Sequence, residues 1–337
     1  MLLTLLGASQ IGEAPNFSVQ AKDAKSGKDH CYALVLGGGG TRGAYEAGVF
    51  WGLLHGITED ERPLYAYDVV SGVSAGTING AALSIFEIGD EFNASNVLSD
   101  YWQTLTTSNI YKRWFPFGLV TGLDKTGMVN TAPLRDFMKT YFDAKGHEMK
   151  RSVSFLGVDA VTGNALPFNE TLSDDDMINA AMTSSAVPFA FPDQQWSFDG
   201  RDIVGIDGGA AWGIDIGSAI KRCQEIVDDD SKITVDVVSC NSNQMPSYSG
   251  DEPKHTVDNF IRFMELKNYH DGVSDVAELM AAFPKVNFRH YIEPTQTLPT
   301  MSMMDGTNST CTWPMQELGR LDAAHALGKE GFIFSKV

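Results

Sequence analysis

Two glycine-rich turns carry the residue types from which an acyl-transfer site could be built. Gly72-Val73-Ser74-Ala75-Gly76 sets a serine between small residues, the pattern of a nucleophile elbow in which a sharp turn lifts the hydroxyl above a sheet edge. A free serine hydroxyl is a poor nucleophile, so this reading also demands a base and a group to hold charge on the carbonyl oxygen. Upstream, Gly37-Gly38-Gly39-Gly40-Thr41-Arg42-Gly43 lets backbone N–H groups converge without side-chain obstruction, a concavity suited to phosphate, pyrophosphate or an oxyanion. The base is open between a histidine, from His30, His55, His147, His255, His270, His290 and His325, and a carboxylate. Asp207 stands apart among the carboxylates, because it follows apolar Ile203-Val204-Gly205-Ile206 and precedes Gly208-Gly209, which predicts a strand end with backbone freedom beside it.

The elements that must position these residues follow from periodicity. Tyr32 to Leu36 is a continuous apolar run cut off by glycines, as expected of a strand buried on both faces of a parallel sheet. From Ala44 through Val49, Phe50, Leu53 and Leu54 the spacing becomes helical and ends at Gly56. Tyr65 to Val70 reads as the next strand and Ile78 to Ile88 as the next helix, so strand, glycine turn and helix occur twice over. Val153 to Val158 and Ile233 to Val238 add strands, and Met177 to Met182, Thr256 to Tyr269 and Met315 to Leu327 add helices. Ser173 before Asp174-Asp175-Asp176 reads as a helix cap with first-turn carboxylates rather than a cation cluster, and residues 284–314 read as loop. The alternation predicts an α/β fold with helices covering a largely parallel sheet.

In this order the motifs resemble those of patatin-like phospholipases. The resemblance is carried by Gly-Gly-Gly-x-Arg-Gly at Gly38 to Gly43, Gly-x-Ser-x-Gly at Gly72 to Gly76 and Asp-Gly-Gly at Asp207 to Gly209. Thr183-Ser184-Ser185-Ala186-Val187-Pro188 and the residues to Pro192 resemble the segment preceding the family's acidic residue. It implies a three-layer α/β/α fold over one domain, residues 31–337, and a Ser74–Asp207 dyad without histidine. It further implies an oxyanion hole at Gly38, Gly39 and Gly40, with Arg42, Gly43, Gly72, Gly76, Gly208 and Gly209 as supporting motif positions. The implied reaction is ester hydrolysis of lipid acyl groups through an acyl-enzyme, in lipid catabolism, with no cofactor and no metal. A Ser-His-Asp hydrolase would instead need His290 or His325, and a silent lipid-binding protein would leave the dyad unused. A dinucleotide-binding oxidoreductase would need an acidic residue at the end of the second strand, where the serine turn stands instead.

Composition narrows the partners. With 25 basic and 43 acidic residues the formal charge is −18, which disfavours a nucleic-acid binder and predicts weak electrostatic attraction to anionic membranes. Cys31, Cys223, Cys240 and Cys311 form no Cys-x-x-Cys pair, so neither a zinc site nor a redox dithiol is expected, nor a disulfide scaffold. No stretch approaches the ~20 apolar residues that cross a bilayer, so contact with a membrane or micelle would be peripheral. Residues 1–30 read as a flexible leader or signal remnant. Leu2, Leu3, Leu5 and Leu6 before Gly7-Ala8-Ser9 lack a basic flank, which leaves secretion and a cytoplasmic location both open. Tyr111 to Phe117, with Trp114, Phe115 and Phe117, and the cluster Met301, Met303 and Met304 are candidates for a lipid-entry surface, since amphipathic aromatics and adaptable Met suit acyl chains, although core packing is the default expectation for such residues.

Overall fold

The computed structural model describes residues 28–240, 266, 276–298 and 309–329. The predicted leader up to residue 27, the Met301 cluster and all but Leu266 of the predicted Thr256–Tyr269 helix lie outside them.

Among the described residues eight strands form one sheet: β1 Cys31–Leu36, β2 Val69–Val73, β3 Ser152–Asp159, β4 Ala165–Phe168, β5 Gln194–Phe198, β6 Arg201–Asp207, β7 Ile233–Val238 and β8 Asn287–Ile292. Their order is β5-β6-β3-β2-β1-β7-β8, with β4 also on β3. The run β3-β2-β1-β7-β8 is parallel, whereas β4 and β6 pair antiparallel to β3, and β5 antiparallel to β6. β2 and β7 are buried at every position, as continuous apolar runs covered on both faces should be.

Alternation along β1 separates the two faces. Leu34 and Leu36 join the larger core beneath α1 (Gly43–Gly56), α2 (Ala75–Ser84), α3 (Glu91–Thr104) and, further along, α6 (Ala132–Lys145) and α7 (Asp174–Ser184). Two short helices, α4 (Thr107–Ile110) and α5 (Leu119–Gly122), lie between α3 and α6. Cys31, Ala33 and Val35 face the second core with Ile216, Ala219, Ile220 and Cys223 of α8 (Ile216–Gln224). Helices on both faces of a mostly parallel sheet make the three-layer α/β/α architecture anticipated from the motifs. The last described helix, α9 (Ser309–Ala326), is tied to the first core through Tyr45, whose hydroxyl donates to Asp322 at 2.9 Å, and through Ser99, which donates to Gln316 at 2.6 Å. Among the described residues no helix is long and apolar enough to cross a membrane.

Three local expectations shift. The second strand starts at Val69 rather than Tyr65, because Glu59–Tyr65 winds as a 3-10 turn and the Tyr67 N–H donates to buried Glu91 rather than to a neighbouring strand. The region read as loop contains β8 and the start of α9. The polar residues that hid β8 belong to an outer strand, where Arg289 pairs with Asp236 of β7. Two of the four cysteines, Cys31 and Cys223, form a disulfide between β1 and α8 across 192 residues of chain, a separation that no spacing motif signals. The acidic triplet is a cap as expected, the Ser173 hydroxyl accepting the Asp176 N–H.

Candidate active site

β1 and β2 are parallel neighbours, so the turns that follow them emerge side by side at the same sheet edge. A methyl group placed on Gly38 would lie 3.3 Å from Ser74 Cβ, so the glycine loop lies directly against the serine. Ser74 adopts φ 53° and ψ −120°, a conformation that strains an L-residue, between the end of β2 and the first turn of α2. The turn survives because its surroundings over-determine it. The Ser74 N–H donates to Ser184 Oγ at 2.9 Å, and Ser184 Oγ is in turn 2.7 Å from Thr77 Oγ1. At Gly76 any Cβ would stand 2.4 Å from the Leu36 carbonyl oxygen, so only glycine lets α2 start this close to β1.

Asp207 reaches the serine through strand register. Val73 pairs with Leu156, and the next residue of β3, Gly157, pairs with Asp207, which puts Ser74 and Asp207 on either side of one rung. Asp207 ends β6, its N–H donating to Ala186 O at 3.0 Å, and its Oδ1 accepts the Gly209 N–H at 2.7 Å. Oδ2 is buried and has no hydrogen-bond partner among the described residues. Burial pushes the Asp207 pKa up to about 6, the Ser74 hydroxyl and the Gly209 N–H acting against that rise. Ser74 and Asp207 are each only 5% exposed, while the residues from Gly209 to Trp212 are open to solvent.

The glycine loop differs in one respect from the expectation that Gly38, Gly39 and Gly40 all offer donors. The Gly38 N–H is already engaged by Gly213 O at 2.8 Å, and the Gly37 N–H by Val238 O at 3.0 Å. The N–H groups of Gly39 and Gly40 donate to no group among the described residues. Beneath the loop, Gly39 rests on Cys240, whose buried thiol donates to the Arg42 carbonyl at 3.4 Å. Gly43 packs against Trp102 and Ala75, and Gly208 against the Leu156 carbonyl, so these motif positions are close-contact sites. Under them Glu46 is fully buried, its pKa raised by burial to about 8 against the opposing influence of Asn79, Cys240 and the Gly37 backbone, so the acid is largely neutral at pH 7.

A family model for patatin-like phospholipases matches residues 34–220, more than half of the chain and all three motifs. The chain belongs to the patatin-like phospholipase family. Lipid hydrolase is therefore the class of its activity, and the patatin-like match covers the stretch that contains Ser74, Asp207 and the glycine loop. Among solved structures it is similar to VipD from Legionella pneumophila, with a TM-score of 0.39 and 11% identity over 89% of this chain and 67% of that one. No curated protein matches it in sequence.

The histidines of the competing triad are occupied elsewhere or remote in the fold. His290 Nε2 lies 2.9 Å from the Tyr65 hydroxyl on β8 at the far end of the sheet, and His325 is exposed on α9. Ser184, Glu46 and Cys240 are the residues of the site that sequence reasoning did not single out. Ser184 lay within a noted segment, but nothing local distinguishes the serine that takes the Ser74 N–H from its neighbour Ser185.

Proposed function

We propose that the protein hydrolyses acyl esters of lipids, in the manner of a phospholipase A or lysophospholipase, with Ser74 as nucleophile and Asp207 as its general base. The observation that supports this most is that a strained serine and a buried carboxylate whose Oδ2 has no hydrogen-bond partner among the described residues stand on either side of one rung of the sheet. Oδ2 takes the Ser74 proton as Oγ attacks the acyl carbonyl carbon, and the carbonyl π electrons move onto oxygen. The N–H groups of Gly39 and Gly40 and the positive end of α2 stabilise that oxyanion. Collapse expels the alcohol portion of the lipid, which receives the proton from Asp207. A water molecule then gives a proton to Asp207 and adds to the acyl-enzyme, releasing the fatty acid as the proton returns to Ser74. A carboxylate held near 6 is a better base than one at its ordinary value and remains ionised at neutral pH.

Fatty-acid release from mixed phospholipid and neutral-lipid micelles by wild type, Ser74→Ala and Asp207→Asn at equal concentration tests the reading. Both variants are expected to lose at least ~10³-fold in kcat. Full activity in Asp207→Asn, or a comparable loss in His290→Ala or His325→Ala, overturns the dyad.

A further inference from the structure

The stretch that follows α4 has no place in the chemistry, yet it holds four of the ten exposed large apolar side chains of the described residues, the most exposed of them, Phe115, included. Phe115 is 91% exposed, Phe117 75%, Val120 67% and Leu123 71%, which corrects the core-packing expectation for this stretch. Phe189, 75% exposed, joins them from the segment leading to the site, where Gly127 and Phe189 form a bridge and the Met128 N–H donates to Phe189 O at 3.0 Å. Isolated exposed apolar residues are ordinary; five on one connected frame are not.

The frame itself is ordered. The Trp114 indole donates to Gly127 O at 3.0 Å, and Lys112 and Asn130 exchange both backbone hydrogen bonds at 2.9 Å. The same backbone continues to the candidate site, since Ala186, three residues before Phe189, accepts the Asp207 N–H. Charge singles out the occupant. From residue 107 to 129 the ionisable side chains are Lys112, Arg113 and Lys125 against Asp124, all four exposed, in a chain of net charge −18. Lys112 and Arg113 also line, with Thr107, Ser108 and Tyr111, a cavity of about 330 Å³ beside the aromatics. Exposed aromatics in a stretch whose charges are mostly cationic, with the Lys125 ammonium 5.8 Å from the centre of the Trp114 ring, complement an interface whose surface is phosphate and whose interior is hydrocarbon.

We propose that this patch docks the protein on anionic phospholipid bilayers, Phe115 and Phe117 entering the interface while Lys112, Arg113 and Lys125 meet lipid phosphates. The purpose of the docking rests on the hydrolase reading; the docking itself does not. The test is flotation of Ser74→Ala protein, which leaves the lipid intact, with vesicles of phosphatidylcholine alone and of phosphatidylcholine mixed equally with phosphatidylglycerol. Binding is expected on the mixed vesicles, weaker on phosphatidylcholine and weakened by salt. F115D/F117D should lower it by about tenfold or more, and K112E/R113E should abolish the preference for the anionic lipid. In the Ser74 background, F115D/F117D should hydrolyse a monomeric short-chain ester within about twofold of wild type, which establishes that it folds.

Undiminished vesicle binding by F115D/F117D overturns the proposal, as does absence of wild-type binding to either vesicle. A wild-type dimer in light scattering that F115D/F117D converts to monomer also overturns it, in favour of a contact between copies. Wild type that binds vesicles yet cleaves no ester defeats the hydrolase reading and leaves the docking standing.

Discussion

The turns around Ser74 and the stretch from Tyr111 to Leu123 are both irregular, glycine-punctuated segments, and the fold treats them in opposite ways. Around Ser74 each exceptional backbone position is held by a named partner: Ser184 on the serine N–H, Leu36 O against Gly76, Gly157 across from Asp207. Along the aromatic stretch the backbone is pinned, but the side chains of Phe115 and Phe117 extend into solvent. Strain at the serine turn can persist only where packing over-determines the conformation, whereas a surface that meets an apolar phase must leave its apolar groups without partners in the protein.

The contrast breaks if the two regions answer alike to substitution. The largest difference is expected in activity. Ser74→Ala should lose at least ~10³-fold on micellar lipid and on a monomeric ester equally, while F115D/F117D should lose activity on vesicles alone; parallel assays on the two substrates read this directly. Next is stability. Gly76→Ala places a methyl group 2.4 Å from a backbone oxygen, and a destabilisation of about 3 kcal/mol or more is expected in urea unfolding. Phe117→Ser in the exposed stretch should fall within about 0.5 kcal/mol of wild type in the same experiment.

Asp207→Asn sharpens the comparison from the other side. Because burial raises the folded-state pKa of Asp207 above its unfolded value, the neutral acid favours the fold, and that contribution is lost as pH rises from about 4 through about 6. The inactive variant should therefore match wild type in stability below pH ~4 and exceed it at pH 8 by on the order of 2–3 kcal/mol, measured by unfolding at both pH values. A variant no more stable at pH 8 would show that Asp207 ionises without a burial penalty. The smallest effect is a displaced pH limb: kcat/KM on the monomeric ester should rise with an apparent pKa near 6 rather than at the usual carboxylate value.

Much of the candidate site was legible because its signals are local. Glycines at Gly72 and Gly76 around a serine, a strand-like run before each turn and an Asp followed by two glycines are consequences of backbone geometry that a short stretch of chain must satisfy by itself. β8 was illegible because its polar residues answer to Asp236 on another strand, and the Cys31–Cys223 pair because nothing in the spacing of two distant thiols encodes their meeting. The same stretch of aromatics reads identically whether it will be core or surface, and the exposure of Phe115 and Phe117 was decided by what the rest of the chain left uncovered.

By itself, then, the sequence determined the class of fold, the two turns and the identity of the residues that could react, since periodicity and steric freedom are properties of neighbouring residues. Tertiary structure alone decided that Asp207 stands across one rung from Ser74, that its carboxyl is held near 6, that the Gly38 N–H is taken by Gly213, and that an aromatic and basic stretch stands exposed. Each of these depends on strand register or burial, which are sums over contacts between residues far apart in the chain, and no local pattern contains them.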